Sequence, residues 1–234
     1  MKHTKLGITR EEFLNRIRAT LGRDSSSHPP TPPRSGSDEL IRLTPRGENL
    51  AEIFVQRATS MGMTVHRIPM DALGRLIQSL LSDLQAKTVA LDMPSFLEDF
   101  IRDAIADRWK VIDPKLARNL DVQFDCDVGI TGIVGAIAET GTLVLSSDKA
   151  RSRGTFLIPP VHIAVMWESH IAADMIDFMA FAQLYVKNHI SSALTFVTGP
   201  SKTADIEGIL ITGVHGPKAV HVIVLENPKD DSPS

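Results

Sequence analysis

Ser201, Lys202, Thr203, Asp205 and Glu207 crowd into a short stretch that follows an apolar, β-branched run, Leu194 to Val197, and the Thr198-Gly199-Pro200 break. Hydroxyl and ammonium groups beside a glycine-freed backbone are what an oxyanion-binding loop requires. A second apolar run then ends in Gly213-Val214-His215-Gly216-Pro217. Polar groups at strand ends are where α/β proteins place their sites. The spacing G-x-x-x-x-G-K-[ST] is absent, so this is not a Walker A loop. The same residues would also serve as an ordinary turn, and composition leaves both readings open.

A second cluster lies upstream. Within the apolar stretch from Gly129 to Leu145, Glu139 is the one ionisable residue, and Thr140, Gly141 and Thr142 follow it. A carboxylate placed in apolar surroundings is costly, and its pKa rises unless nearby N–H and hydroxyl groups stabilise the charge. Glu139 is thus the candidate acid, base or nucleophile. The basic run Lys149, Arg151 and Arg153 reads by itself as a solvated loop, with Arg153 the candidate anion ligand, and His162 sits in an apolar strand beyond it. The glycines of Gly129 to Gly135 run G-x-x-G-x-x-G rather than G-x-G-x-x-G, which excludes the dinucleotide fingerprint. His162, His215 and His221 are scattered, and one cysteine, Cys126, gives neither a disulfide nor the thiolates of an iron–sulfur cluster. No metal site is expected.

The elements that position these groups follow from periodicity. Thr9 and Glu12 have capping-box spacing ahead of a short amphipathic helix closed by Gly22. Ser- and Pro-rich sequence follows, too poor in apolar residues to order itself. The expected organisation is an N-terminal helical arm over 1–22, a linker over 23–39, an α/β domain over 40–228 and a tail over 229–234. Thr44-Pro45 predicts a helix through about Met61. Strands over 63–68, 88–91 and 109–112 then alternate with helices over 71–84 and 94–106. Further strands are expected over 161–166, 209–213 and 219–225, and a helix over 171–188 with Ile171, Met175, Phe178, Met179 and Ala182 packed in the core. This alternation implies right-handed crossovers and a mostly parallel sheet flanked by helices. His221 reads as a satisfied core histidine. A net charge of −3, 43% hydrophobic residues and few aromatics argue against nucleic acid. No apolar segment is long enough to span a membrane, and the charged N-terminus is not a secretory signal, so a cytoplasmic protein is expected.

Four segments in order, AIAETGTLVL (Ala136 to Leu145), Arg153 to Ile163 ending LIPPVHI, TGPSKTADIEG (Thr198 to Gly208) and GVHGPKAVHVIVLE (Gly213 to Glu226), resemble the lactate utilisation protein C family, whose shared unit is the LUD domain. The resemblance implies a fold similar to the sugar-phosphate isomerase and CoA-transferase superfamily. It also implies a role in oxidising L-lactate to pyruvate beside iron–sulfur partner subunits, with this chain as the cluster-free member. Lys202 stands where the family commonly has Arg, keeping the charge without the bidentate fork. On this reading the chain is a non-catalytic or co-catalytic subunit, with Glu139 the candidate catalytic residue. The candidate ligand-binding residues for a small anion are Thr140, Gly141, Thr142, Arg153, His162, Gly199, Ser201, Lys202, Thr203, Asp205, Glu207 and His215, and crossover topology is expected to bring Glu139, Arg153, Ser201, Lys202, Thr203, Asp205 and Glu207 into one cleft at the strand ends. The alternative is a stand-alone isomerase or acyl-transferase-type enzyme on the same fold, with Glu139 as base or nucleophile.

Overall fold

The computed structural model describes residues 8–24, 42–44, 49–112, 120–148, 151–188, 191–204 and 210–227. It divides into two compact units, Met1–Leu40 and Ile41–Ser234. In the first, helix α1 (Arg10–Thr20) opens on the expected capping box: Glu12 N–H donates to Thr9 Oγ1 and Thr9 N–H donates to Glu12 Oε2. It ends on Gly22 at φ +62, with Arg23 N–H reaching back to the Arg18 carbonyl and Gly22 N–H to that of Ala19. These are the two bonds of a Schellman cap. The linker expected over 23–39 and the tail over 229–234 lie almost wholly outside the described residues.

The second unit opens with α2 (Leu50–Ser60), β1 (Thr64–Ile68), α3 (Leu73–Asp83), β2 (Thr88–Asp92), α4 (Ser95–Ile105), β3 (Lys110–Ile112), α5 (Leu120–Phe124) and β4 (Val128–Gly132). There follow β5 (Gly135–Ile137), β6 (Thr142–Ser147), α6 (Gly154–Leu157), β7 (Val161–Trp167), β8 (Ile171–Ala172) and α7 (Met175–Asn188). The chain closes with β9 (Ala193–Val197), β10 (Lys202–Ala204), β11 (Leu210–Thr212) and β12 (Ala219–Leu225).

Six strands form a parallel sheet in the order β1-β12-β7-β4-β2-β3. Parallel strands covered on both faces read as near-continuous apolar runs, and β7 and β12 are such runs. Their alternate residues enter two cores. Ile163, Val165, Ile223 and Leu225 pack with Ile77 and Leu81 of α3 and Leu97 and Ile101 of α4. On the opposite face Ala164, Met166, Val222 and Val224 pack with Phe54 of α2, Phe156 of α6 and Leu143 and Leu145 of β6. A second, four-stranded sheet, β8-β5-β6-β9, supplies part of that cover, and Phe178 and Ala182 of α7 close its outer side. β10 and β11 form a separate antiparallel pair.

Three expectations are corrected. The helix read from Thr44-Pro45 begins at Leu50, where the Asn49 side chain accepts from Glu52 N–H; Thr44 is buried and Pro45 is outside the described residues. The helix read from Ile171 begins at Met175, because Asp174 caps it, accepting from Asp177 N–H at 2.9 Å, and Ile171–Ala172 pairs with Ala136–Ile137 as a strand. Met175 and Met179 are consequently exposed, leaving Ile171, Phe178 and Ala182 in cores. Finally, His221 is not satisfied: it stacks on His66 with ring centroids 5.9 Å apart, and its Nδ1 is buried without a partner among the described residues.

Candidate functional site

The two glycine-bearing loops at the end of the chain fold against each other. Ser201 N–H donates to the Pro217 carbonyl at 2.9 Å, and Gly213 N–H donates to the Ser201 carbonyl at 2.8 Å. Gly199 adopts φ +110, and a Cβ there would lie 2.6 Å from the Met61 carbonyl oxygen, so only glycine lets the loop close onto the end of α2. This stitching builds a cavity of about 240 Å³ whose polar lining is His162, Thr195, Thr198, Ser201 and His215, set among apolar walls that include Phe156 and Val220. His162 is almost completely buried and shares a 2.8 Å hydrogen bond between Nε2 and Thr131 Oγ1. Burial drives its pKa down to about 3, so the imidazole is neutral at physiological pH. This cavity accepts or donates hydrogen bonds; among its described lining residues there is no Lys or Arg.

The cationic site lies next to it, sharing Leu157, in a cavity of about 470 Å³. Its polar lining is Gln123, Ser147 at the end of β6, Asp148, Arg151, Ser152, Arg153 and Ser192. The loop is held by reciprocal bonds, Arg151 N–H to Asp148 Oδ1 and Asp148 N–H to the Arg151 carbonyl, and by Ser152 N–H donating to Asp92 Oδ2 at 2.7 Å. Helix α6 then seats directly on the parallel sheet, because Gly129 offers no side chain where the Thr155 carbonyl comes down. Two guanidinium groups and three hydroxyls, set against the one carboxylate of Asp148, are groups that can pair with a carboxylate or phosphate.

The remaining candidates fall elsewhere. Glu139 is half-buried in the β5–β6 turn, its N–H donating to the Ala173 carbonyl, and it lines neither cavity. Thr140, Gly141 and Thr142 make that turn. Thr140 Oγ1 and Thr142 Oγ1 lie 2.7 Å apart, Thr142 Oγ1 and Thr198 Oγ1 lie 2.8 Å apart, and Gly141 at φ +65 packs onto the Ala58 backbone. Lys202 and Thr203 belong to β10 and line neither cavity; Asp205 and Glu207 are outside the described residues. The single cleft is therefore corrected: Glu139 precedes β6 and Arg153 lines the cavity at its far end, and six extended residues separate such groups by about 17–20 Å. His162, Gly199, Ser201 and His215 do come together, and Arg153 stands in the neighbouring cavity.

Sequence reasoning passed over Asp92, Arg151, Ser147 and Ser152. The available signal for Asp92 was an acid closing the apolar run Thr88 to Leu91; it is buried at the carboxyl end of β2. Arg151 was visible only as one charge of a basic run, yet it is half-buried and lines the arginine cavity. Cys126 is buried beside Asp127 and Asp125, and its thiol is pushed up to about 11, which leaves it protonated. Among the described residues no cluster of three His, Cys, Asp or Glu side chains is placed to hold a metal ion, and no helix is long and apolar enough to cross a membrane.

A six-stranded parallel sheet covered on both faces defines an α/β protein with its polar loops past the strand ends. The chain belongs to the LUD domain family, whose model matches residues 51–225. It is 27% identical to lactate utilization protein C of Halalkalibacterium halodurans over 93% of this chain and 98% of that protein. To the protein of the same name from Macrococcus caseolyticus it is 29% identical, over 91% and 94%. Its fold matches the crystal structure of a DUF162 family protein from Deinococcus radiodurans with a TM-score of 0.53, at 22% identity, over 75% of this chain and 96% of that one.

Proposed function

We propose that this chain acts in lactate utilisation, as the cluster-free subunit of a cytoplasmic L-lactate-oxidising iron–sulfur assembly, and that it holds a small anionic ligand in the arginine cavity. The names of the relatives support the pathway. The observation that carries the ligand class is the convergence of Arg151 and Arg153 with Ser147, Ser152 and Ser192 around one cavity, where the two cations outnumber the one carboxylate, Asp148. Oxidising lactate to pyruvate releases two electrons, and a chain with one cysteine cannot ligate the cluster that would accept them, so partner subunits carry the clusters. The role left to this chain is binding and orientation.

Two measurements test the reading. Full-length chain isolated from native lysate at low salt should bring iron-containing proteins with it in fixed ratio. Calorimetric binding of inorganic phosphate should weaken at least tenfold in Arg153→Gln. Recovery of the chain alone, together with phosphate binding indifferent to Arg153→Gln, refutes both halves.

A further inference from the structure

A helix that covers one side of a sheet divides into an apolar seam and a polar outer surface, and α7 does not divide that way. Phe178 and Ala182 enter the core beneath the second sheet, and the Phe178 ring lies so close to Gly135 of β5 that a Cβ there would stand 2.8 Å from Cε2. Among the described residues of the helix, those exposed are Met175, Met179, Ala180 and Phe181, all of them apolar. The one charged side chain of that stretch, Asp177, pairs with the buried Arg42 at 2.9 Å, and from Phe178 to Val186 the sequence carries no further charge. A helix that is apolar all round belongs in an interior. Within this chain, the described part of α7 is covered on one side only.

The apolar surface continues onto β9. Phe196 meets Phe178 edge-on with ring centroids 5.9 Å apart, and Phe181 approaches the same ring at 6.4 Å, so two exposed rings are joined through a buried one. At exposures of 45%, 45%, 48% and 42%, Met175, Met179, Phe181 and Phe196 together present on the order of 350 Å². Apolar patches of a few hundred Å² mark interaction surfaces. A stable interface takes about 800 Å² from each partner, slightly more than half of it apolar. These four side chains supply most of that apolar share.

We propose that α7, with Phe196 of β9, is the interface between two copies of this chain, the two helices packing across a two-fold axis. The area is what each half of a stable dimer contributes. Charge favours the same occupant: a partner selected by charge needs complementary charge to read, and the described outer surface of α7 offers none. A second copy needs none. Two chains of net charge −3 repel over most of their surface, and an uncharged face is where they meet without setting like charges against each other. In such a self-complementary contact each methionine faces an apolar surface like its own, and the unbranched thioether side chain adapts to fill it.

Sedimentation velocity of the purified full chain should show a species of twice 25.6 kDa that dissociates on dilution. Met179→Lys and Phe181→Glu, both at exposed positions, should each weaken the dimer at least tenfold while keeping the far-ultraviolet circular dichroism of wild type. Phe124→Lys, at an exposed position outside this face, should leave it unchanged. Should the α7 variants not fold, hydrogen exchange of wild type above and below the dissociation midpoint reads the same contact: amides of α7 and β9 gain protection in the dimer. Interfaces of standard size bind from about µM to pM, so a chain still monomeric at about 0.2 mM overturns the proposal. So does a dimer indifferent to both substitutions, or concentration-dependent protection confined to other elements. A chain that is monomeric alone and holds an iron-containing protein through α7 gives the face another occupant, and overturns it as well.

Discussion

Gly129 is the position where a one-carbon change should be felt at both cavities. It lies in the middle of β4, paired with His162 of β7 and Ala90 of β2, so its strand cannot move aside. A Cβ built there stands 1.7 Å from the Thr155 carbonyl oxygen and 3.3 Å from Pro159 Cγ. The oxygen is backbone, within the four-residue helix α6. To restore an ordinary contact of about 3.5 Å, α6 must lift by roughly 2 Å. Over-packing of this kind costs about 1–3 kcal/mol, and for a unit of this size each kcal/mol lowers Tm by about 2–4 °C. Gly129→Ala should therefore melt about 2–12 °C lower than wild type. Because Gly154 and Leu157 of α6 line the arginine cavity, and Leu157 the histidine cavity also, phosphate binding should weaken in protein that is still folded. Differential scanning calorimetry and titration calorimetry on the same preparation decide it. An unchanged Tm would refute the close seating of α6. A lowered Tm with unchanged phosphate affinity would break the link between that seating and the site.

His162 sets a pH dependence. Its folded pKa lies below its unfolded value, so the unfolded chain binds the extra proton: the stability it contributes is complete above about pH 6.5 and is lost as pH falls from there toward 3. Urea unfolding of wild type between pH 6.5 and 4 should show a slope steeper than that of His162→Gln by up to about 1.4 kcal/mol per pH unit; parallel slopes would show that His162 charges without penalty. His66, His170 and His221 are also lowered by burial and act in the same sense, but they are present in both proteins and cancel in the comparison. Arg42 forms buried ion pairs with Asp174 at 2.6 Å and Asp177 at 2.9 Å. Removing one partner strands buried charge, so Arg42→Met should cost about 3–5 kcal/mol by chemical denaturation, and a loss under 1 kcal/mol would mean that water reaches Asp174 once the arginine is gone.

What could be read from the sequence was what repeats within a window. The helices α3 and α4 have an apolar residue at every third or fourth position, and the apolar runs of β2, β7 and β12 announce strands covered on both sides. The second sheet left no such trace. Strands of two and three residues, β8 and β5, are too short to show a period, and their pairing depends on which distant segment arrives beside them. Ile171 therefore passed for the first turn of a helix whose true start is fixed by a single capping carboxylate, Asp174.

The same distinction governs the site. Glu139 looked costly because its neighbours in sequence are apolar, yet Thr140 to Gly141 turn the chain there, and the carboxylate comes out half-exposed. Chemistry-bearing residues that are close in sequence need not be close in space when an extended strand lies between them, and β6 carries Arg153 away from Glu139. Asp92 and Arg151 show the converse: far apart in the chain, they meet because the exits of β2 and β4 diverge and the loop after β6 returns across the gap, fixed by the Ser152–Asp92 bond. A composition window cannot contain that information, since it resides in the order of strands in the sheet. The residues most worth mutating are thus those at the strand ends where the chain reverses direction, whether or not their sequence neighbourhood looks like a motif.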